Sequence, residues 1–240
     1  MKNPAKPAIK PFDEKEFVAG LVLELNKNAN KKRAIEMSAY MRTLFPFLGV
    51  NAPTRTQILR VVSAQFGKPN QKQIVKTMRM LWDLPEREFH IIATEFLTKN
   101  KKQLDSTFVS KHVKFFITHN SWWDSVDSLR AAIGYLVAKD PELDVVMYEW
   151  IDSENKWLVR TAIIHQLLLK SDTDPVKLFA LCERRHKDKE FFIAKAVGWA
   201  LRDFSYVDAN AVKRFVRLHP EMSPLAKREA LKAINRKAKK

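Results

Sequence analysis

Helical periodicity is plainest in the stretch SWWDSVDSLRAAIGYLVA, residues 121–138. Its apolar residues recur at intervals of three and four, the spacing that places them on one face of an α-helix. Trp123 and Asp127 are four residues apart, so they project from the same face within the first two turns. Ser121 and Asp124 have the spacing of a capping box. The stretch therefore predicts that a helix begins here, with Asp124 as part of its cap.

The two adjacent tryptophans of this stretch cannot share one environment. Trp122 and Trp123 are separated by about 100° around a helix. We expect one indole to pack into the core and the other to face a groove. The ordinary alternative is that the helix start is purely structural, with a capping Asp124 and core tryptophans.

The pattern returns at a fixed interval along the chain. Phe89, Trp123, Trp157 and Phe191 are each separated by 34 residues, and each lies near the start of a predicted helix. A period of this length with two helices per unit is typical of an α-solenoid. The Trp, Leu-Gly and Tyr signature of the tetratricopeptide repeat is absent, which favours HEAT-like helix pairs. The predicted fold class is all-α, an α-solenoid of HEAT-like helical repeats with a concave basic face.

Apolar spacing of the helical kind continues along nearly the whole chain, and no strand pattern competes with it. The Lys- and Pro-rich residues 1–12 are predicted to be a flexible basic N-terminal arm, and residues 13–240 a single repeat domain. Thirteen helices are predicted within that domain, at 13–28, 31–46, 54–66, 70–81, 85–100, 105–118, 122–138, 142–151, 155–170, 174–186, 189–203, 208–217 and 224–237.

The charge balance indicates a polyanionic partner. The chain has 43 Lys and Arg against 27 Asp and Glu, a net charge of +16. Nucleic acid is the first candidate, an anionic membrane surface the second, and a solvated basic surface the plain alternative. We find neither a secretory signal nor an apolar run long enough for a membrane span. The single Cys182, expected in the core, excludes an intramolecular disulfide and fits a reducing cytoplasm.

One repeat position could carry chemistry. Asp127, Thr161 and Lys195 occupy it in successive units, with Arg160 just before the second and Trp199 four residues after the third. If this position lines the concave face, a carboxylate, two cations and two indoles project into one channel. A lone carboxylate in a basic aromatic groove suggests chemistry on a cation. The alternative places the two cations on a solvated face and Trp199 in the core.

The remaining polar residues give weaker signals. The six histidines show neither HExxH nor HxH spacing, so neither a metal site nor a cofactor is expected, and His165 is predicted to be a core residue. Asp83 and Glu86 predict a helix start, with Asp83 as the cap. Arg87 and Glu88 are expected at the surface. The basic C-terminal end, which includes Lys227 and Arg228, is read as a solvated helix or as a phosphate contact.

Five segments, in this order, resemble the AlkD family of DNA alkylation repair glycosylases. The resemblance runs from about Ala34 to Ile234 and leaves out the N-terminal arm. The segments are Leu81–Phe89, Ser121–Asp127, Trp157–Arg160, Lys189–Phe192 with Ala196–Trp199, and Ser223–Ala230.

The resemblance implies a stack of HEAT-like repeats that wraps duplex DNA and hydrolyses the N-glycosidic bond of N3- and N7-alkylated purines, such as 7-methylguanine and 3-methyladenine. Members of this family are thought to act from the backbone side, without a base pocket. By motif, the catalytic residues are Asp127, Trp123, Trp199 and Arg160. The DNA contacts implied are Tyr40, Arg55, Lys195, Arg202, Lys227 and Arg228.

The residue types suit this reaction. Alkylation at N3 or N7 makes the base cationic and a good leaving group, so the sugar becomes oxocarbenium-like as the base departs. Asp127 would stabilise that charge and orient or deprotonate water, the indoles would contact the sugar, and Arg160 would clamp a phosphate. The implied enzyme is a monofunctional, cofactor-free bacterial glycosylase. It would work as a monomer in the cytoplasm at the nucleoid, and bulky adducts are an open extension of its range.

Two other functions remain open from the sequence. A solenoid of the same fold could bind DNA without hydrolysing it, although Asp127 argues against this. A HEAT-like array could instead be a protein-interaction scaffold, which the charge of +16 disfavours.

Overall fold

The structure, a computed structural model, describes residues 9–237 of the chain, with the side chain of Lys237 excepted. Within that range the chain forms thirteen α-helices, and its β-structure is a single isolated bridge between Lys10 and Phe66. The prediction of an all-α fold is confirmed. Residues 1–8 of the predicted arm and the basic residues 238–240 lie outside the described range. None of the described helices is both long and apolar enough to cross a membrane.

The chain divides into two compact units, residues 1–108 and 109–240, so the single repeat domain stays a prediction. In the first unit, asparagine or aspartate side chains cap four of the five helices by accepting a backbone N–H of the first turn. The helices are α1 (Glu14–Lys27), α2 (Lys31–Tyr40), α3 (Ala52–Ser63), α4 (Gln71–Trp82) and α5 (Arg87–Asn100).

The first unit includes residues assigned from sequence to the N-terminal arm. The backbone N–H of Lys10 donates to Gln65 O at 2.9 Å, and Lys10 O accepts from the N–H of Gly67 at 2.7 Å. The Phe12 ring stacks on Phe96 with a centroid distance of 5.9 Å. The packed chain therefore starts before the predicted boundary at residue 12.

Two charged residues expected at the surface are fully buried in the first unit. Glu88 is 0% exposed, and its carboxylate accepts the backbone N–H groups of Leu48, Gly49 and Val50 at 2.8–3.0 Å. The guanidinium of Arg87, also 0% exposed, lies 4.0 Å from the Phe45 ring centroid. For Glu88 the surface prediction was wrong because the loop before α3 presents three backbone donors that need an acceptor, and for Arg87 because its guanidinium packs on the Phe45 ring.

Two predicted helix caps were also wrong. Glu86 takes the N-cap position of α5, whereas Asp83 is the residue that ends α4. At the start of the helix after residue 121, Trp122 takes the N-cap position. The hydroxyl of Ser121 donates backward to the carbonyl of Ile117 instead of capping forward.

The second unit contains the remaining eight helices. A π-helical turn, Phe108–His112, leads into the first of them, so regular helix begins later than the predicted residue 105. The helices are α6 (Val113–Thr118), α7 (Trp123–Val137), α8 (Asp144–Ile151), α9 (Lys156–Ile164), α10 (Pro175–Arg185), α11 (Phe191–Phe204), α12 (Ala209–Leu218) and α13 (Pro224–Lys237).

Left-handed backbone follows two helices that end before their predicted ends. Arg42 and Thr43 follow α2 with φ of 58° and 57°, and Leu168 and Lys170 follow α9 with φ of 68° and 56°. L-residues in that region cannot continue a right-handed helix, which is why the predicted ends at residues 46 and 170 were wrong. His165, which directly follows α9, is buried as predicted.

The core of the second unit is built around α11, which packs on α9 and, most extensively, on α13. Gly198 makes the α11–α13 contact possible: an added Cβ would lie 2.8 Å from Ala226 O and 2.5 Å from the Cβ of Glu229. The predicted core residue Cys182 is buried, and burial raises the pKa of its thiol. The close approach of the two helices brings Glu229 against the face of α11.

Candidate active site

A pocket of about 370 Å³ opens in the second unit between side chains of α7, α9, α11 and α13. All four residues predicted to be catalytic line it, although they are spread over 77 positions of sequence, from 123 to 199. The lining residues are Trp123, Asp127, Arg160, Phe191, Phe192, Lys195, Trp199, Arg202 and Glu229.

A bidentate ion pair forms one wall of the pocket. Arg160 donates from Nε to Asp127 Oδ1 and from Nη2 to Oδ2, each at 2.7 Å. Its third nitrogen, Nη1, donates to the backbone carbonyl of Phe192 at 2.8 Å. The Asp127 side chain is 15% exposed and that of Arg160 only 5%. Planar two-point pairing of this kind fixes the orientation of the carboxylate as well as its charge.

The phosphate clamp expected for Arg160 stays a prediction, and the geometry favours a different role. A phosphate clamp needs a guanidinium face that reaches solvent, whereas every nitrogen of Arg160 already donates inside the protein. The side chain instead holds Asp127 in place. We therefore describe Arg160 as a positioning residue.

Aromatic side chains form much of the remaining lining. Trp122 packs against Phe192 with a centroid distance of 5.1 Å, while Trp123 lines the pocket. Trp122 is as half-buried as Trp123, so the split between one core indole and one groove-facing indole stays a prediction. Trp199 lies with its ring centroid 5.8 Å from the guanidinium carbon of Arg160. In the sequence, Phe191 was noted only as one of the aromatic residues spaced by 34. In the structure it lines the pocket and is 53% exposed.

The repeat register misplaced one residue of this site. Thr161 was aligned with Asp127 and Lys195, but it is fully buried and its hydroxyl donates to Trp157 O at 2.8 Å. Its neighbour Arg160 reaches the pocket instead. Equivalent positions in imperfect repeats therefore differ by one residue, which turns a helix by about 100°.

A second carboxylate, which sequence reasoning missed, organises the cations of the pocket. Glu229 Oε1 accepts from Lys195 Nζ at 3.0 Å, and its other oxygen accepts from Arg202 Nη1. Burial opposes ionisation of Glu229, but the hydrogen bond and charge of Lys195 and the charges of Arg202 and Lys232 hold its pKa below the ordinary value. Lys195 and Arg202 are thereby fixed at the pocket wall.

Comparison with known proteins identifies the family. The family described as "DNA alkylation repair enzyme" matches residues 21–234 of the chain. The chain belongs to this family. A solved structure described as a predicted DNA alkylation repair enzyme from Enterococcus faecalis is similar, with a TM-score of 0.79 and 29% identity over 85% of this chain and 96% of that one. No curated protein matches the chain.

Membership among the DNA alkylation repair enzymes confirms the family resemblance found in the sequence. It also gives the excess of positive charge a partner, since a DNA repair enzyme acts on DNA. The structure then separates the basic residues predicted to contact DNA into those at or near the pocket of the second unit and those in the first unit.

In the second unit of this repair enzyme, Lys195 and Arg202 line the pocket, and Lys227 and Arg228 are exposed in the first turns of α13. In the first unit, Tyr40 is 74% exposed at the end of α2. Arg55 is only 7% exposed and pairs with Glu95 through Nε at 3.0 Å and Nη2 at 2.9 Å. This ion pair occupies Arg55 within the protein, so its DNA contact stays a prediction without structural support.

One further group of chemically capable side chains lies away from the pocket residues. Among the described residues, His186, His219 and Glu221 bring three candidate metal-ligand atoms within 4.8 Å of one another. The three residues come from α10, α12 and the turn that follows α12.

Proposed function

We propose that this DNA alkylation repair enzyme is a monofunctional glycosylase that hydrolyses the N-glycosidic bond of cationic N3- or N7-alkylated purines in duplex DNA. The observation that carries the proposal is the Asp127 carboxylate, held on two points by Arg160 at the wall of an aromatic pocket. We further propose that the chain acts as a monomer and without a cofactor.

The reaction requires a fixed negative charge more than it requires an acid. The alkylated base already carries a positive charge, so it leaves as a neutral purine when the C1′–N bond electrons move onto it. Positive charge then develops on the sugar, as in glycoside hydrolysis. Asp127 stabilises that charge and accepts a proton from the water whose oxygen bonds to C1′. The products are the free base, an abasic sugar and a proton released to solvent.

The indoles of Trp123 and Trp199 suit the same cationic species. Both indoles line the pocket, and an indole ring has an electron-rich face. Contact of a cation with such a face contributes roughly 0.5–2 kcal/mol, and the larger value applies when water is excluded. Because the sugar becomes more positive as the base leaves, this attraction strengthens toward the transition state.

The cations on α11 and α13 suit the phosphates that flank a lesion. Lys195 and Arg202 are fixed by Glu229, while Arg228 and Lys227 remain exposed one and two residues before it. Phosphate contacts position a protein on DNA without reading its sequence. We propose that these four residues hold the backbone so that the lesion sugar meets Asp127.

A panel of duplexes, each with one defined lesion, tests this function. The proposal expects release of free base from cationic lesions, 3-methyladenine and a bulky N7 adduct included, and none from uracil, hypoxanthine or O6-methylguanine. Efficient uracil release would overturn the cation mechanism, since no acid has been assigned to protonate a neutral base. Tight, salt-sensitive DNA binding without release from any lesion would indicate a DNA-binding protein that is not a glycosylase.

A further inference from the structure

Three metal-binding side chains meet at the ends of two helices in the second unit. His186 is the residue that ends α10, His219 the residue that ends α12, and Glu221 lies in the turn just beyond. Their ligand atoms lie within 4.8 Å of one another. The two histidines are 33 positions apart in sequence, which is why spacing motifs gave no sign of the cluster.

His186 faces an oxygen acceptor on both sides of its ring. Its Nδ1 lies against the backbone carbonyl of Glu183, an oxygen that can only accept, so Nδ1 carries the ring hydrogen. Its Nε2 is 2.9 Å from Oε1 of Glu221, a carboxylate oxygen. With Nδ1 donating, Nε2 presents its lone pair toward Glu221, and a metal ion placed between them would be bound by both atoms.

The surroundings favour a cation at the same point. Each histidine closes the C-terminal end of a helix, where the unsatisfied carbonyl groups carry partial negative charge. The Nδ1–H of His186 donating to a backbone carbonyl is also the arrangement that orients most metal-ligating histidines. The His186 side chain is 8% exposed whereas that of Glu221 is 42% exposed, so the site is anchored on one side and open to water on the other.

We propose that His186, His219 and Glu221 bind a divalent transition-metal ion of the zinc type, with water as the fourth ligand. Two imidazoles and one carboxylate form a ligand set that Zn²⁺ accepts in tetrahedral geometry, and imidazole selects against Mg²⁺ and Ca²⁺. Lys187 lies 3.3 Å from the same Glu221 oxygen, but its side chain is 66% exposed. A bound ion displaces this solvated lysine at small cost.

An ion bound at this site would be a structural crosslink between segments of the second unit. It would join the end of α10 to the end of α12 and to the turn that leads into α13, the helix that carries Glu229. The backbone already makes one such link, since Ser223 N–H donates to His186 O at 2.8 Å. None of the three ligands lines the pocket, so the ion acts on stability and leaves the chemistry of Asp127 unchanged.

Calorimetric titration of the untagged, chelator-stripped full chain with zinc chloride tests the site. We expect saturable 1:1 binding, and a melting temperature that rises by roughly 5–10 °C when Zn²⁺ is about 100-fold above its Kd. Co²⁺ in place of Zn²⁺ should give the visible absorption bands of a four-coordinate imidazole-bound ion. Mg²⁺ should give neither effect.

Matched variants decide whether these residues hold the ion. His219→Asn and Glu221→Gln should each weaken Zn²⁺ binding at least about tenfold and abolish the Co²⁺ bands. Two control variants at exposed positions, His119→Asn and Glu142→Gln, should leave Zn²⁺ binding and the Co²⁺ bands unchanged. Base release is measured in parallel and should not depend on Zn²⁺, which separates failure of this site from failure of the proposed glycosylase.

Two results would overturn the proposal. One is the absence of saturable Zn²⁺ binding by the wild-type chain. The other is Zn²⁺ affinity that survives Glu221→Gln. Because Glu221 is largely solvated, that variant keeps its fold, and circular dichroism verifies this.

Discussion

Two carboxylates, one in each unit, are held by several hydrogen-bond donors yet differ in what surrounds them. Glu88 in the first unit is 0% exposed and accepts three backbone N–H groups. Asp127 in the second unit is 15% exposed, accepts two hydrogen bonds from Arg160 and lines a pocket of about 370 Å³. The donors around Glu88 are main chain, whereas those around Asp127 belong to a side chain.

A structural carboxylate and a catalytic one differ in whether a ligand can reach them. The backbone donors of Glu88 tie the loop before α3 to α5, and its full burial leaves nothing for a ligand to reach. Arg160 orients the Asp127 carboxylate through two hydrogen bonds and leaves part of it exposed at the pocket. Loss of the first charge should therefore cost stability, and loss of the second should cost rate.

The largest effect is expected for Asp127→Asn. The amide keeps the shape but lacks the charge that stabilises the sugar cation, so single-turnover base release should fall about 10²–10³-fold. DNA affinity should change little, because Asp127 meets no phosphate in the proposed mechanism. Glu149→Gln, at the exposed surface of α8, is the charge-matched control and should release base at the wild-type rate. A wild-type rate in Asp127→Asn would remove this residue from the mechanism.

The opposite signature is expected for Glu88→Gln. The amide NH₂ would face backbone donors, so the free energy of unfolding should fall by about 2–3 kcal/mol. The variant should release base normally wherever it is folded. Urea denaturation measures the loss, and Glu16→Gln, which breaks an exposed pair with Lys10, should cost under about 1 kcal/mol. Equal losses in the two variants would mean that the three backbone hydrogen bonds of Glu88 stabilise the fold no more than an exposed ion pair does.

His165 extends the comparison to a buried group in the second unit that does not line the pocket. Burial is the main cause that lowers its pKa to about 4, with Lys177 acting in the same direction, although the hydrogen bond to Ala162 O raises it. Because the unfolded chain binds this proton near pH 6.5 and the folded chain does not, stability is lost as the pH falls below 6.5. The expected loss from this group between pH 7 and 5 is about 2 kcal/mol.

Denaturation curves at the two pH values test the His165 prediction. His165→Leu should remove that part of the pH dependence, whereas the control His112→Gln should keep it. An identical pH slope in wild type and His165→Leu would assign the effect to other groups.

The smallest effect is expected for Arg160→Lys, and it separates positioning from phosphate binding. A lysine keeps the charge but loses the two-point geometry, so the rate of base release should fall about tenfold. DNA affinity and its salt dependence should stay within about twofold of wild type. A phosphate clamp would do the reverse, lowering the slope of log affinity against log salt by about one with the rate at saturation preserved.

The features that could be predicted from the sequence are those set by the local spacing of residues, namely the helices and which residues share a helix face. Apolar spacing predicted the thirteen helices, because an apolar face favours packing of a helix against the rest of the chain. The distance of four residues between Trp123 and Asp127 placed both on one face, and both line the pocket. Repeat register placed Arg160 and Trp199 near the same channel but also aligned the buried Thr161 with Asp127, and family resemblance selected Arg160 and Trp199 as catalytic residues.

What the sequence missed depends on contacts between distant segments. Glu88 and Glu229 look like ordinary solvated helix residues until the 48–50 backbone or the α11 cations meet them. His186 and His219 come together only because α10 and α12 end side by side. Such pairings are set by tertiary packing, which single-sequence periodicity does not encode.

The most direct test of the account is release of free 7-methylguanine from a duplex that carries one such lesion. With enzyme in excess, DNA binding and free base are followed in the same sample, beside DNA without protein. The account predicts that bound DNA loses its 7-methylguanine in a single exponential, far faster than the unbound duplex, and leaves an abasic site. Fully bound DNA that keeps its base at the spontaneous rate would contradict it.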